Sequence, residues 1–161
     1  MGNGLPKRTS MRLQTFDYGT AGAYFVTICT KDRECILSQV TNEPPFLNLS
    51  QYGEIVEVWI SKIEQKYSEI KVDRYVIMPD HIHLLLFVMR DTEKQYHVPV
   101  VESVIGWFKY QVSKEINRMR GSAGEKFFQR SFYDHVVRDR EDYVNICKYI
   151  QQNPLKWNCK T

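Results

Sequence analysis

No stretch of this chain approaches the roughly 20 consecutive apolar residues needed to cross a bilayer, so no membrane span is expected. Basic residues near the start (Lys7, Arg8, Arg12) are not followed by an apolar segment, so no signal peptide is expected. Cysteine is sparse, and the four present (Cys29, Cys35, Cys147, Cys159) form no CxxC pair. That argues against a zinc ribbon and a disulfide framework, and makes a reducing cytosol the simpler compartment. Excess charge is also nearly lacking: 22 Lys and Arg face 19 Asp and Glu, a net of +3. At 161 residues the chain suits one domain with a sizeable core.

The charge that exists is unevenly placed. From Trp107 to Arg130 six basic residues (Lys109, Lys114, Arg118, Arg120, Lys126, Arg130) face two acidic ones. Trp107, Phe108, Tyr110, Phe127 and Phe128 are interleaved with them. Cations meet phosphates and flat rings stack on bases, so this pattern suits a nucleic-acid surface. On charge alone, a solvated helix face beside a core edge is the plainer explanation.

Residues 1–22 read as irregular. "AYFVTICT" (Ala23–Thr30) reads as a strand, "TNEPPF" as a loop, and about Gly53–Ile70 as a helix with a broad apolar face. Val72–Met78 and His81–Met89 read as two strands joined by a tight turn at Pro79-Asp80. Pro99 can open a second helix, whose apolar residues run from Val101 to Met119 and which "GSAG" ends. Phe132–Val137 reads as a short strand. Asp139 is an N-cap candidate for a last helix that stops at Asn153-Pro154. The order predicts an α+β, ferredoxin-like (RRM-like) antiparallel sheet with helices packed on one face.

Within "MPDHIHLLLF", His81 and His83 point the same way because strand side chains alternate, while Ile82, Leu84 and Leu86 point into the core. Two adjacent imidazoles can share one divalent metal; two hydrogen-bonded, partly buried histidines are the plainer alternative. A third histidine (His97 or His135) would favour zinc, whereas an amide oxygen would favour Mg²⁺ or Mn²⁺. On the last helix Tyr143, Ile146, Cys147 and Ile150 form the apolar stripe. Tyr149 lies off it, with Asn153 one turn on along the same flank. Tyr110 is a rival tyrosine, but Lys114 takes its i+4 position, and a charged lysine cannot ligate a metal.

Three blocks carry a likeness to a known family: "YVIMPDHIHLLLFV" (Tyr75–Val88), "FFQRSFYDHVVRDREDYV" (Phe127–Val144) and "KYIQQNPLKW" (Lys148–Trp157). The chain resembles the single-tyrosine HUH transposases, in particular their REP-associated branch, across roughly Phe25 to Trp157. The resemblance implies one catalytic domain over residues 23–158. It also implies Tyr149 as nucleophile, His81 and His83 as metal ligands, and Asn153 as the amide that completes the site. Mg²⁺ or Mn²⁺ would be the cofactor. Single-stranded DNA beside a hairpin would be the substrate, cut through a 5′-phosphotyrosine in a bacterial cytoplasm. Lys109, Lys114, Arg118, Arg130, Arg138 and Lys148 are the candidates for holding the DNA backbone. Relatives include homodimers that share the site and forms that act alone. Two other readings compete. One is a non-catalytic RRM-like module for RNA or single-stranded DNA. The other is a zinc hydrolase using His81, His83 and His135.

Overall fold

The computed structural model describes residues 22–44, 46–89 and 101–157. Among them run strands β1 (Gly22–Cys29), β2 (Ser38–Val40) and β3 (Leu47–Leu49), helix α1 (Gln51–Lys66), strands β4 (Ile70–Ile77) and β5 (His81–Val88), helix α2 (Val101–Arg120), strand β6 (Tyr133–Val137) and helix α3 (Arg140–Gln152). The four longer strands form one antiparallel sheet in the order β4-β5-β1-β6, which is the ferredoxin-like arrangement expected.

β1 and β5 occupy the middle of the sheet because both are apolar on two faces. Tyr24, Val26, Ile28, Ile82, Leu84, Leu86 and Val88 turn toward α1 and α2 and build the main core. α1 supplies Val56, Ile60 and Ile63; α2 supplies Val104, Ile105, Phe108, Val112 and Ile116 at helical spacing. Phe25, Val76, Met78 and Leu85 turn the other way, where they meet Ile146 and Ile150 of α3. The two helices of the ferredoxin-like unit thus share one face, and α3 packs on the opposite one, with Val40, Leu47 and Trp157 beside it.

Several boundaries differ from the sequence reading. α1 stops at Lys66 rather than near Ile70, because Ile70 begins β4 opposite Val88. Ser50 caps α1, accepting the Gly53 N–H at 3.1 Å. At Gly53 a Cβ would lie 2.1 Å from the Leu37 carbonyl oxygen, so only glycine allows this approach. The "TNEPPF" loop joins β2 to β3, a small hairpin the sequence reading left unassigned. "GSAG" ends α2 as expected, with Gly121 and Gly124 at positive φ. Gly22 opens β1 rather than closing an irregular segment. Pro99, His97, Lys7, Arg8 and Arg12 lie outside the described residues.

The aromatics of the basic stretch are mostly structural. Phe108, Phe127 and Phe128 are buried, and Trp107 packs edge-on against Trp59 and Tyr67. Tyr110 stays exposed, at 61%. Burial in the α1–α2 layer takes the other rings out of reach of a nucleic acid.

Candidate active site

The Pro79-Asp80 turn places the histidines. Met78 N–H donates to the His81 carbonyl at 2.8 Å and closes a two-residue hairpin. Turns are normally solvated, yet this one is buried. Its carbonyls are satisfied from within: Thr30 N–H donates to Asp80 O, and Leu37 N–H to Pro79 O, each at 3.0 Å. β5 therefore starts from a fixed point, and His81 and His83 follow on the face that α3 covers.

The two rings lie with centroids 4.6 Å apart. Each has its Nδ1 engaged. His81 Nδ1 lies 2.6 Å from Asp80 Oδ1, and His83 Nδ1 lies 2.8 Å from Thr27 Oγ1. Both bonds suit the tautomer that keeps the lone pair on Nε2. His83 is wholly buried, yet its Nε2 has no hydrogen-bond partner. A buried polar atom left without a partner is costly and calls for a ligand. Burial, then the charges of His81 and Arg33, push the His83 pKa well below its ordinary value. That ring is neutral, the form in which imidazole binds metals. Burial alone would raise the Asp80 pKa, but hydrogen bonds from His81 and Arg33 outweigh it and hold the carboxyl below its usual range.

α3 brings the far end of the chain to this pair. Asp139 caps it, accepting the Asp142 N–H at 2.8 Å. The Asp142 carboxylate accepts the Arg138 N–H and pairs with His135 Nε2 at 2.7 Å. The stripe reads as expected: Ile146 and Ile150 are buried, with Tyr143 and Cys147 packed beside them. Tyr149 lies off it. Its ring meets His83 of the same chain at 5.3 Å and Phe25 edge-on at 6.0 Å, while 43% of the residue stays exposed. Asn153 follows one turn on, keeps helical backbone, and leads into a short 3-10 turn, Pro154–Lys156. Beyond that turn Trp157 lies against His81, ring centroids 5.8 Å apart.

The donor set suits a divalent cation: two neutral-capable imidazoles whose Nε2 atoms are left for a ligand and whose Nδ1 atoms are anchored, as in most metal-binding histidines. Among the described residues no group of three or more His, Cys, Asp and Glu gathers around one point. With His135 held by Asp142, the zinc arrangement of His81, His83 and His135 is not formed.

The basic candidates divide by place. Lys148 precedes Tyr149 on α3, and Arg138 lies just before that helix; both are at least partly exposed. Lys114 and Arg118 sit on α2, across the sheet, where they line a hollow of about 500 Å³ with Tyr110 and Asn117. Lys109 Nζ donates to the carbonyls of Gln129 (2.6 Å) and Arg130 (3.1 Å) and so clasps the loop ahead of β6. Arg130 itself is exposed. The sequence reading missed Thr27, Arg33, Asp80 and Trp157. Thr27 had a signal, a hydroxyl inside an apolar strand, and so did Asp80, directly before the histidine. Arg33 had none.

Residues 20–153 match the family model "Transposase IS200 like". The chain is 28% identical to a Haemophilus influenzae protein of no assigned function, over 96% of this chain and 92% of the relative. It is 30% identical to a candidate REP-associated tyrosine transposase of the same organism, over 87% of this chain and 74% of the relative. Two solved structures share the fold. One is a REP-associated tyrosine transposase bound to a REP hairpin, with TM-score 0.62, 19% identity, and coverage of 91% of this chain and 74% of that one. The other is a candidate transposase of Deinococcus radiodurans, with TM-score 0.53, 14% identity, and coverage of 88% and 95%. A family match spanning most of the chain, with a named relative at 30% identity, makes this protein a member of the IS200-like transposase family.

Proposed function

We propose that the protein cuts and rejoins single-stranded DNA beside a hairpin, with Tyr149 as nucleophile and Mg²⁺ or Mn²⁺ held by His81, His83 and Asn153. The observation that carries this reading is the unpartnered, buried Nε2 of His83 beside the Tyr149 ring. A relative of this fold was solved on a REP hairpin, which supports the choice of substrate.

The phenol oxygen of Tyr149 attacks a backbone phosphorus in line with the leaving 3′-oxygen. A Tyr–O–P bond forms and the P–O3′ bond breaks. The phenol gives up its proton during attack, and the departing 3′-oxygen gains one. A bound cation supplies stabilisation of the charge that builds on the phosphate oxygens. Phe25 and His83 wall the phenol on two sides and limit its swing. Lys148 holds the strand close to Tyr149, while Arg138, Lys114, Arg118 and Arg130 hold phosphates farther off. Such contacts set position rather than sequence. The phosphotyrosine keeps the energy of the phosphodiester, so a 3′-hydroxyl can reseal the strand without ATP.

The test is incubation with single-stranded hairpin DNA and Mn²⁺, read by denaturing gel and mass spectrometry. Wild type is expected to carry DNA covalently on Tyr149, and Tyr149→Phe to fold and bind DNA but form no adduct. Hairpin binding with no adduct in wild type would instead favour the non-catalytic binding module.

A further inference from the structure

Asp80 is only 6% exposed, and its carboxylate spends both oxygens. Oδ1 takes the His81 Nδ1–H at 2.6 Å, and Oδ2 takes the Arg33 Nε–H at 2.8 Å. The backbone beneath it is fixed as well, since Asp80 O accepts from both Thr30 N and Thr30 Oγ1. Arg33 uses a second arm: Nη1 donates to Cys29 Sγ at 3.1 Å. Cys29 is the cross-strand partner of His81, so the guanidinium bridges two neighbours of that ring. To reach there the chain puts two consecutive non-glycine residues, Asp32 and Arg33, at φ of 56° and 55°. Such backbone is strained for L side chains and persists where surrounding contacts over-determine it.

We infer that Arg33 and Asp80 are positioning residues for the proposed cation site, an inference that rests on the metal reading above. A carboxylate on Nδ1–H fixes the imidazole tautomer, aims Nε2, and raises its donor strength. The guanidinium, bonded to the other carboxylate oxygen, holds that carboxylate against the ring. Arg33 looks from sequence like one more surface cation of a DNA-binding protein. Its geometry commits it to Asp80 instead. The role predicts that removing Arg33 weakens cation binding with no DNA present, which a phosphate-contacting arginine would not do.

The experiment titrates Mn²⁺ into DNA-free protein by electron paramagnetic resonance and reads the His81 tautomer by ¹⁵N NMR in the metal-free protein. Asp80→Asn is expected to raise the Mn²⁺ Kd about tenfold or more. Arg33→Gly, which removes the guanidinium and suits the left-handed backbone at that position, is expected to raise Kd about threefold. Both should loosen the Nδ1–H tautomer. His83→Ala serves as the control for loss of the site. Unchanged Kd and tautomer in both variants, with binding lost in His83→Ala, would overturn the positioning role and leave the metal reading standing. Loss of DNA affinity alone in Arg33→Gly would make that residue a phosphate contact and overturn the role too. No Mn²⁺ uptake by wild type would sink the metal reading and this inference together.

Discussion

Thr27 sits fully buried on a strand that otherwise buries mainly carbon and sulfur, its hydroxyl 2.8 Å from His83 Nδ1. Replacing it by valine keeps the shape and deletes the partner. His83 would then bury both ring nitrogens unbonded, at a cost of about 1–3 kcal/mol. Thr27→Val is therefore expected to lower stability by that amount in chemical denaturation. It should also weaken Mn²⁺ binding, because the ring loses the bond that selects its tautomer. A variant as stable as wild type would show that the hydroxyl does not serve the ring. At this scale the sequence was partly legible. His81 and His83 could be paired from strand alternation alone, and Tyr149 set apart from its helix stripe by counting. Arg33 could not be found, because its partner lies 47 positions away and the link depends on a left-handed turn with no glycine to announce it.

Elements differ in how firmly they are held. α2 buries six large apolar side chains and α3 two, Ile146 and Ile150. At about 1.5–3 kcal/mol each, α3 has roughly a third of the docking energy of α2. A polar tie supplements it: Tyr143 Oη donates to Asp73 Oδ2 of β4 at 2.7 Å. That bond, then one with Cys147, pushes the Tyr143 pKa up to about 12. A raised pKa means the folded state favours the protonated phenol. The tie is thus fully present below about pH 10 and is lost as pH rises from there through about 12. Difference absorbance between wild type and Tyr143→Phe should show this late ionisation, and Asp73→Asn should return it toward the ordinary value of about 10. Amide exchange across residues 140–152 should quicken in Asp73→Asn and remain unchanged across 101–120. Element identity was readable where the apolar period was long, as in α2 and β5. β2 and β3 were not, since three residues carry no usable period, and α1 was read too long because Ile70 fits a helix face as well as a strand.

Across the whole molecule the basic residues fall on both sides of the sheet. Lys148 adjoins Tyr149 on α3 and Arg138 lies ahead of that helix's first turn, whereas Lys114 and Arg118 stand on α2 beyond the main core. A hairpin large enough to touch both groups would release counterions at each. The double variant Lys114→Ala, Arg118→Ala should weaken hairpin binding for all sequences alike. It should also flatten the plot of log affinity against log salt by about 0.9 for each phosphate no longer neutralised. An unchanged slope would remove α2 from the footprint. The α+β plan was legible as a whole because strand and helix periods alternate along the chain; the placement of α3 on the second face was not, since no local pattern says which side of a sheet a terminal helix takes. That placement matters when the protein is stored. The imidazoles rise from a turn locked into the interior by Thr30 and Leu37, while the phenol rides on the most lightly fastened helix. Under the proposed mechanism an ageing sample would lose the alignment of Tyr149 and of Asn153 first while the imidazole pair stayed in place, so residual ion uptake is a poor gauge of a batch's quality.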